Sequence, residues 1–257
     1  MIFTATRLTC LSRGLTVPLI AVAILLAAKS VDAELVNTVQ LNFQNGSDSG
    51  SFQVAVPEFT DQFQWNLPGA VQVYSPGTGA LLGTIKDLQI TMDGDPGITL
   101  GFNVDATNVA THVTFSSSVL SFAPIGNAQA FASAAITVTD NDSNGASATG
   151  SFPGGTVYQA QYNGGPIFAN LILTPVNAPI DGSTTASERL PAAGNTGIGT
   201  VSSIHSQFDF MLSANDSASG TSRFNVVAGF ITPEPSTLVL ALTGALGLLW
   251  RFRRRFA

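Results

Sequence analysis

The sequence predicts an all-β fold, an antiparallel β-sandwich of the jelly-roll or immunoglobulin-like type, flanked by two apolar ends. Three observations lead to this prediction. Hydrophobic and polar residues alternate along most of residues 34–231, as in strands with one buried and one exposed face. Turn-forming clusters such as "QNGSDSG" (44–50) and "DGDPG" (93–97) separate the alternating stretches. The body shows no convincing amphipathic helix with a 3.6-residue period.

The alternating stretches and the breaks between them predict about ten to twelve short strands. In chain order, these stretches begin near Leu35, Phe52, Phe59, Ile98, Val109, Ile204 and Phe224. Residues 178–199 are polar and rich in glycine and proline, so we expect a long surface excursion between strands there. The rest of the body is too short to fold alone after that point, so residues 34–231 are predicted to form a single ectodomain.

Residues 1–33 have the three parts of a secretory signal peptide. Arg7 and Arg13 precede the apolar helical stretch 15–28, and small residues in "VDA" predict cleavage before Glu34. The only cysteine of the chain, Cys10, is removed with this segment. The exported protein therefore has neither disulfides nor thiolate metal sites.

Residues 232–257, "TPEPSTLVLALTGALGLLWRFRRRFA", predict a membrane-spanning helix followed by a basic tail. Pro233 and Pro235 disfavour helix before them, so the helix is predicted at 236–250. It would span roughly 22 Å, less than the ~30 Å hydrocarbon core. Four arginines after it extend its reach and stay cytoplasmic, which places the body on the outer side. These membrane-orienting residues are Arg251, Arg253, Arg254 and Arg255.

The Pro233-Glu234-Pro235 tripeptide, the short apolar helix and the terminal arginine cluster together resemble the PEP-CTERM sorting signal of Gram-negative bacteria. The resemblance implies that an exosortase, a membrane-embedded processing enzyme, recognises these three residues. It also implies that the protein is exported across the inner membrane, is transiently anchored there and then passes to the cell surface or the polysaccharide matrix. The body resembles the β-rich choice-of-anchor domains in composition and strand pattern, which implies a surface domain without known chemistry.

The charge of the exported part excludes one class of partner. Residues 34–232 contain three basic and fourteen acidic residues, a net charge of −11 with neutral histidines. Because nucleic-acid binding needs clustered lysine and arginine against phosphates, we expect no nucleic-acid partner.

The turn "DNDSNG" (140–145) offers a candidate metal site. Asp140, Asp142 and Asn144 are oxygen ligands two residues apart, as in the first half of an EF-hand calcium loop. The twelfth position is Ser151 instead of glutamate, and the flanking segments alternate as strands do. This excludes an EF-hand and leaves two alternatives, a calcium-binding loop or a plain hairpin turn.

Catalytic motifs are absent from the sequence, and we expect no enzyme activity. His205 and Asp209 share one face of a strand, but their Cα atoms lie about 13 Å apart, too far for a hydrogen bond. The serine-hydrolase elbow, the zinc-protease motif, the P-loop and the dinucleotide glycine motif do not occur.

Tyr158 and Tyr162 are the candidate ligand residues. Both lie on the face of their strand opposite to Val157, where they could form a sugar-stacking platform.

The sequence thus predicts a structural or adhesive protein of the cell surface or extracellular matrix. The alternative is a carbohydrate-binding protein, with or without calcium dependence, or a polysaccharide-modifying one. Expected partners are an exosortase, the inner membrane and exopolysaccharide.

Overall fold

A computed structural model describes residues 37–229 and Thr243 of the chain. Residues 37–229 contain fifteen strands and no helix, while Thr243 is helical. The described residues include no helix that is long and apolar enough to cross a membrane. The predicted signal peptide, and all of the predicted membrane helix except Thr243, lie outside the described residues.

The strands follow one another with short turns. They are β1 Asn37–Asn45, β2 Asp48–Val56, β3 Gln62–Asn66, β4 Val71–Tyr74, β5 Leu81–Asp93, β6 Gly97–Ala106, β7 Thr111–Ser116, β8 Leu120–Thr139, β9 Ala146–Gly150, β10 Thr156–Tyr162, β11 Ile167–Leu173, β12 Val176–Ala178, β13 Ser183–Leu190, β14 Thr196–Leu212 and β15 Ser217–Ala228.

All strand pairs are antiparallel and belong to one hydrogen-bonded sheet. Its main order is β2-β1-β7-β14-β8-β15-β6-β5-β3. The other strands join at the sides: β4 pairs with β5, β13 with β8, β10 and β9 with β14, β11 with β10, and β12 with β9. The prediction of an all-β antiparallel fold is therefore confirmed, whereas the jelly-roll or immunoglobulin-like sandwich type stays a prediction.

The long strands β8 and β14 connect the two halves of this sheet. The first part of β14 pairs with β8, and its second part pairs with β7 on one side and with β10 and β9 on the other. The sheet folds over so that Phe102 on β6 contacts Phe208 on β14, with ring centroids 5.1 Å apart, although β8 and β15 lie between these strands in the sheet order. The core is the space enclosed by this fold.

The core contains the inward-facing half of each alternating strand. Val39, Leu41 and Phe43 are buried on β1, as the alternation predicts. Burying a side chain of this size contributes about 1.5–3 kcal/mol. Phe102 lies at the centre of an aromatic cluster, with ring centroids 6.0 Å from Phe115 and 5.8 Å from Phe210.

A glycine makes room for this cluster. A Cβ atom on Gly220 of β15 would lie 2.5 Å from Cε1 of Phe102. The ring therefore occupies the space that a side chain would need, because real Cβ atoms do not approach other atoms so closely.

The prediction for residues 178–199 is wrong in part. This segment contains β13, which pairs with β8 from Ser183 opposite Thr139 to Leu190 opposite Ala132, and it contains the start of β14. Its sequence, STTASERL, has few hydrophobic residues and gave no alternation. Pairing with the long strand β8 supplies the hydrogen bonds that make it a strand.

Candidate functional site

A cluster of three carboxylates lies where two turns meet. Asp140 and Asp142 follow β8, and Asp216 lies between β14 and β15. One carboxylate oxygen from each residue lies within 4.8 Å of the others. The structure therefore brings the predicted ligands Asp140 and Asp142 together and adds Asp216, which the sequence reasoning missed. Asn144, the third predicted ligand, donates its backbone N–H to Oδ1 of Asp140 at 3.4 Å.

Asp140 holds this turn in place. Its Oδ1 also accepts the backbone N–H of Asp142 at 3.2 Å, and its Oδ2 accepts that of Asp181 at 2.7 Å. Burial raises the pKa of the Asp140 carboxyl, but the backbone N–H donors outweigh burial and lower the pKa to about 2. The group is therefore a carboxylate at neutral pH.

Asp142 is less fully engaged. Its Oδ2 accepts a hydrogen bond from Nδ2 of Asn215 at 2.9 Å. Its Oδ1 is enclosed and has no hydrogen-bond partner among the described residues. Asp216 is buried and accepts the backbone N–H of Asn141 at 3.2 Å and the hydroxyl of Ser213. Carboxylate oxygens are the ligands that Ca²⁺ prefers, so the residues fit a hard cation.

The predicted sugar platform is not formed, because Tyr158 is fully buried. Its ring packs on Phe208 with centroids 5.1 Å apart, and its hydroxyl lies 2.9 Å from Oγ of Ser206. The prediction assumed that β10 has one solvent-exposed face, but its consecutive residues from Thr156 to Ala160 are all buried. Tyr162, at the end of β10, is half-buried and packs against the core.

The two histidines bind to other residues across neighbouring strands. Nε2 of His112 lies 2.5 Å from Oδ1 of Asp209 and 3.3 Å from Oγ of Ser151. A serine–histidine–aspartate relay needs the serine on one ring nitrogen and the carboxylate on the other. Because both groups contact the same nitrogen, this cluster has the wrong geometry for that relay.

His205 does not contact Asp209, as expected from their spacing along the strand. Its Nε2 lies 2.8 Å from Oγ of Ser116 on the neighbouring strand β7. Burial lowers the pKa of the His205 imidazole, and a hydrogen bond with the backbone of Ser117 offsets this only in part.

A polar groove runs along the outer face of β1 beside β7. Its volume is about 490 Å³. It is lined by uncharged side chains and one histidine, including Gln40, Asn42, Gln44, Ser49, Ser51, Thr114 and His112. Such donors and acceptors suit the hydroxyl groups of a neutral sugar. The alternating Gln40, Asn42 and Gln44 were the signal in the sequence that could have identified it.

Comparison with known proteins gives one informative match. The family model described as "PEP-CTERM protein-sorting motif" matches residues 232–255. This confirms the sorting signal predicted from the sequence. The matched range contains the tripeptide Pro233, Glu234 and Pro235 and the arginines Arg251, Arg253, Arg254 and Arg255, which all lie outside the described residues. No curated protein matches the chain.

Two solved virus structures show weak similarity to the chain. The first is "Structure of infectious bursal disease virus Gx strain", with 9% identity and a TM-score of 0.27, covering 77% of this chain and 59% of the viral one. The second is "Crystal structure of infectious bursal disease virus VP2 subviral particle", with 8% identity and a TM-score of 0.10, covering 76% and 66%. The chain thus spans less than two thirds of either viral chain.

Proposed function

We propose that this chain, which has a PEP-CTERM sorting signal, is a structural or adhesive protein of the cell surface or extracellular matrix. The observation on which this proposal depends is the sorting motif at residues 232–255. PEP-CTERM signals are recognised by exosortase and direct export and membrane-associated sorting toward the cell surface. The all-strand body would be the exported part.

The position of the motif suits processing. The last described strand, β15, ends at Ala228, and the motif begins at residue 232. Cleavage at Pro233, Glu234 or Pro235 would therefore remove no part of β1–β15. The four terminal arginines would keep the removed tail on the cytoplasmic side.

Polar side chains that bond across neighbouring strands favour a structural role. His112 pairs with Asp209, Ser116 with His205, and Nε2 of Gln159 donates to Oδ1 of Asn170 at 2.9 Å. Cross-strand pairs of this kind stabilise a sheet by roughly 0.2–1 kcal/mol each. These groups bond to one another and fasten neighbouring strands together.

Replacing Pro233, Glu234 and Pro235 with alanine tests the sorting function. We expect the variant to keep its tail and to remain in the membrane fraction, whereas the parent loses the tail and reaches the cell surface. Cell fractionation and mass spectrometry of the C-terminus measure both results. The matched control is Pro57→Ala with Glu58→Ala, which alters the exposed Pro-Glu pair of the body. Unchanged processing of the triple variant would contradict the proposal.

A carbohydrate-binding function is the second candidate, supported by the uncharged polar groove on β1. An arrayed glycan screen with and without Ca²⁺ tests it. We expect Gln44→Ala, within the groove, to weaken any glycan signal, and Gln64→Ala, on the exposed face of β3, to leave it unchanged. Equal signals from both variants would remove the groove as the binding site.

A further inference from the structure

Two arginines lie on either side of one serine in the sheet. Arg189 on β13 and Arg223 on β15 both pair with Ser133 of β8, from opposite sides. Adjacent strands are about 4.8 Å apart, so the two arginine Cα atoms are separated by roughly 10 Å. Two residues further along β8, on the same face, Ser187 and Thr221 flank Ala135 in the same way. These residues line an open trough of about 550 Å³, here called the arginine trough.

One aromatic ring contacts both guanidinium groups. Cζ of Arg189 lies 4.9 Å from the centroid of the Phe131 ring, and Cζ of Arg223 lies 5.7 Å from it. Cation–π contacts at these distances restrain the arginine side chains. A guanidinium has five N–H donors. Arg189 uses one on the carbonyl oxygen of Gly194 and Arg223 one on Oδ1 of Asn225, so most donors remain for a ligand.

Neither arginine has an acidic partner among residues 37–229, although this part of the chain is rich in carboxylates. The third cation of the same range, Lys86, does pair with Asp105, at 2.8 Å. Glu188 also lines the trough, but its carboxylate is engaged, since Oε2 accepts the backbone N–H of Ile172 at 2.6 Å. The trough is therefore a local basic site on an acidic protein.

We propose that the arginine trough binds an acidic polysaccharide through its carboxylate groups. Guanidinium groups bind carboxylates with two parallel hydrogen bonds. Two guanidinium groups on separate strands suit a polymer that carries carboxylates on successive sugars. The hydroxyls of Ser133, Ser187 and Thr221 offer partners for the sugar hydroxyls between them. The open shape admits a chain.

The inference rests on the proposed function only in requiring that the body face the outside of the cell. The trough is also separate from the groove on β1, which suits neutral sugars. Binding to the purified protein therefore tests the trough without testing export.

The experiment measures binding of the purified full-length chain to polygalacturonate. We expect Arg189→Gln with Arg223→Gln to weaken binding at least about tenfold, which corresponds to about 1.4 kcal/mol. Lys86→Gln is the matched control, because it removes one positive charge outside the trough. We expect it to change binding less than about twofold. Circular dichroism of each variant checks that the strands are retained.

Two polymers with other groups complete the test. Dextran, which is neutral, should not bind, and fully methyl-esterified polygalacturonate, which has the same backbone but neutral esters in place of carboxylates, should bind much more weakly than polygalacturonate. Equal binding of dextran, equal binding of the methyl-esterified polymer, or equal losses in Lys86→Gln and the double arginine variant would each overturn the proposal.

Discussion

The hydroxyl groups of Tyr158 and Ser206 lie 2.9 Å apart in the core, between β10 and β14. Both residues are completely buried. Buried polar groups are costly unless they are hydrogen-bonded, so each hydroxyl stabilises the position of the other. The pair joins a strand at the side of the sheet to the long strand β14.

Removing the tyrosine hydroxyl should destabilise the fold. We expect Tyr158→Phe to lower the free energy of unfolding by about 1–2 kcal/mol, because Ser206 loses this partner. Urea denaturation measures the change. Tyr162→Phe is the control, since Tyr162 is only half-buried on the same strand. Equal midpoints for Tyr158→Phe and the parent would show that the bond contributes nothing.

The same residue predicts a loss of stability at high pH. Burial raises the pKa of the Tyr158 hydroxyl from 10.0 to about 12, and the hydrogen bond with Ser206 opposes this only in part. The folded state therefore keeps a proton that the unfolded chain releases above pH 10. Stability from this group is complete below pH 10.0 and is lost as the pH rises to about 12; the loss is up to about 3 kcal/mol. Tyr158→Phe should make the free energy of unfolding depend less on pH in this range. An unchanged pH dependence would show that Tyr158 is not the group responsible.

At mildly acidic pH, His205 should weaken the fold. Burial lowers the pKa of its imidazole below the ordinary 6.5, so the unfolded chain binds a proton more readily than the folded one. Stability from this group is present above pH 6.5 and is lost as the pH falls below it. The measurement is the denaturation midpoint as a function of pH. We expect His205→Gln to reduce the slope of the denaturation midpoint against pH. His112→Gln is the comparison variant, and it should leave that slope unchanged if His205 is the imidazole responsible. A slope that survives His205→Gln would contradict this prediction.

Gly220 provides a test of packing. We expect Gly220→Ala to destabilise the fold by about 1–3 kcal/mol, because the new methyl group overlaps the Phe102 ring. Gly101→Ala is the matched control on the neighbouring strand, where a Cβ atom meets nothing closer than 3.4 Å. Chemical denaturation of both variants measures the difference. Similar midpoints for the two would mean that the Phe102 ring moves aside without cost.

Calcium should stabilise the fold if the carboxylate cluster binds it. At a free Ca²⁺ concentration of 100 times Kd, the expected gain is about 2.7 kcal/mol, seen as a higher melting temperature. Asp142→Asn should abolish the gain, since Oδ1 of Asp142 is the oxygen without a partner. Asp95→Asn, an exposed acidic turn residue, is the control. A calcium response that is absent, or equal in both variants, would reject the site.

Local patterns in the sequence predicted the parts of the fold that one strand determines by itself. The alternation through Val39, Leu41 and Phe43 gave the buried face of β1 correctly. The same alternation did not predict the burial of Tyr158. Because β10 is buried on both faces, the face on which a residue lies does not determine whether it is exposed. The alternation also failed for β13, whose polar sequence becomes a strand only through its pairing with β8.

The candidate sites depended on topology, which the sequence did not provide. Asp216 joins Asp140 and Asp142 because the β8–β9 and β14–β15 turns meet at one place in the fold. Arg189 and Arg223 come together because β13 and β15 pair with the same stretch of β8. These relations follow from strand order and register, and a single sequence reveals neither.

The position of β15 determines how the domain would bear a mechanical load. This last described strand lies inside the sheet, hydrogen-bonded along Ser217–Asn225 to β6 and along Ser217–Ala228 to β8. A pull on the chain beyond Gly229 runs along the strand and strains both ladders simultaneously, instead of opening one edge bond at a time. A body that is still anchored through its C-terminal segment, before that segment is removed, would therefore resist being unfolded by a force applied at this end.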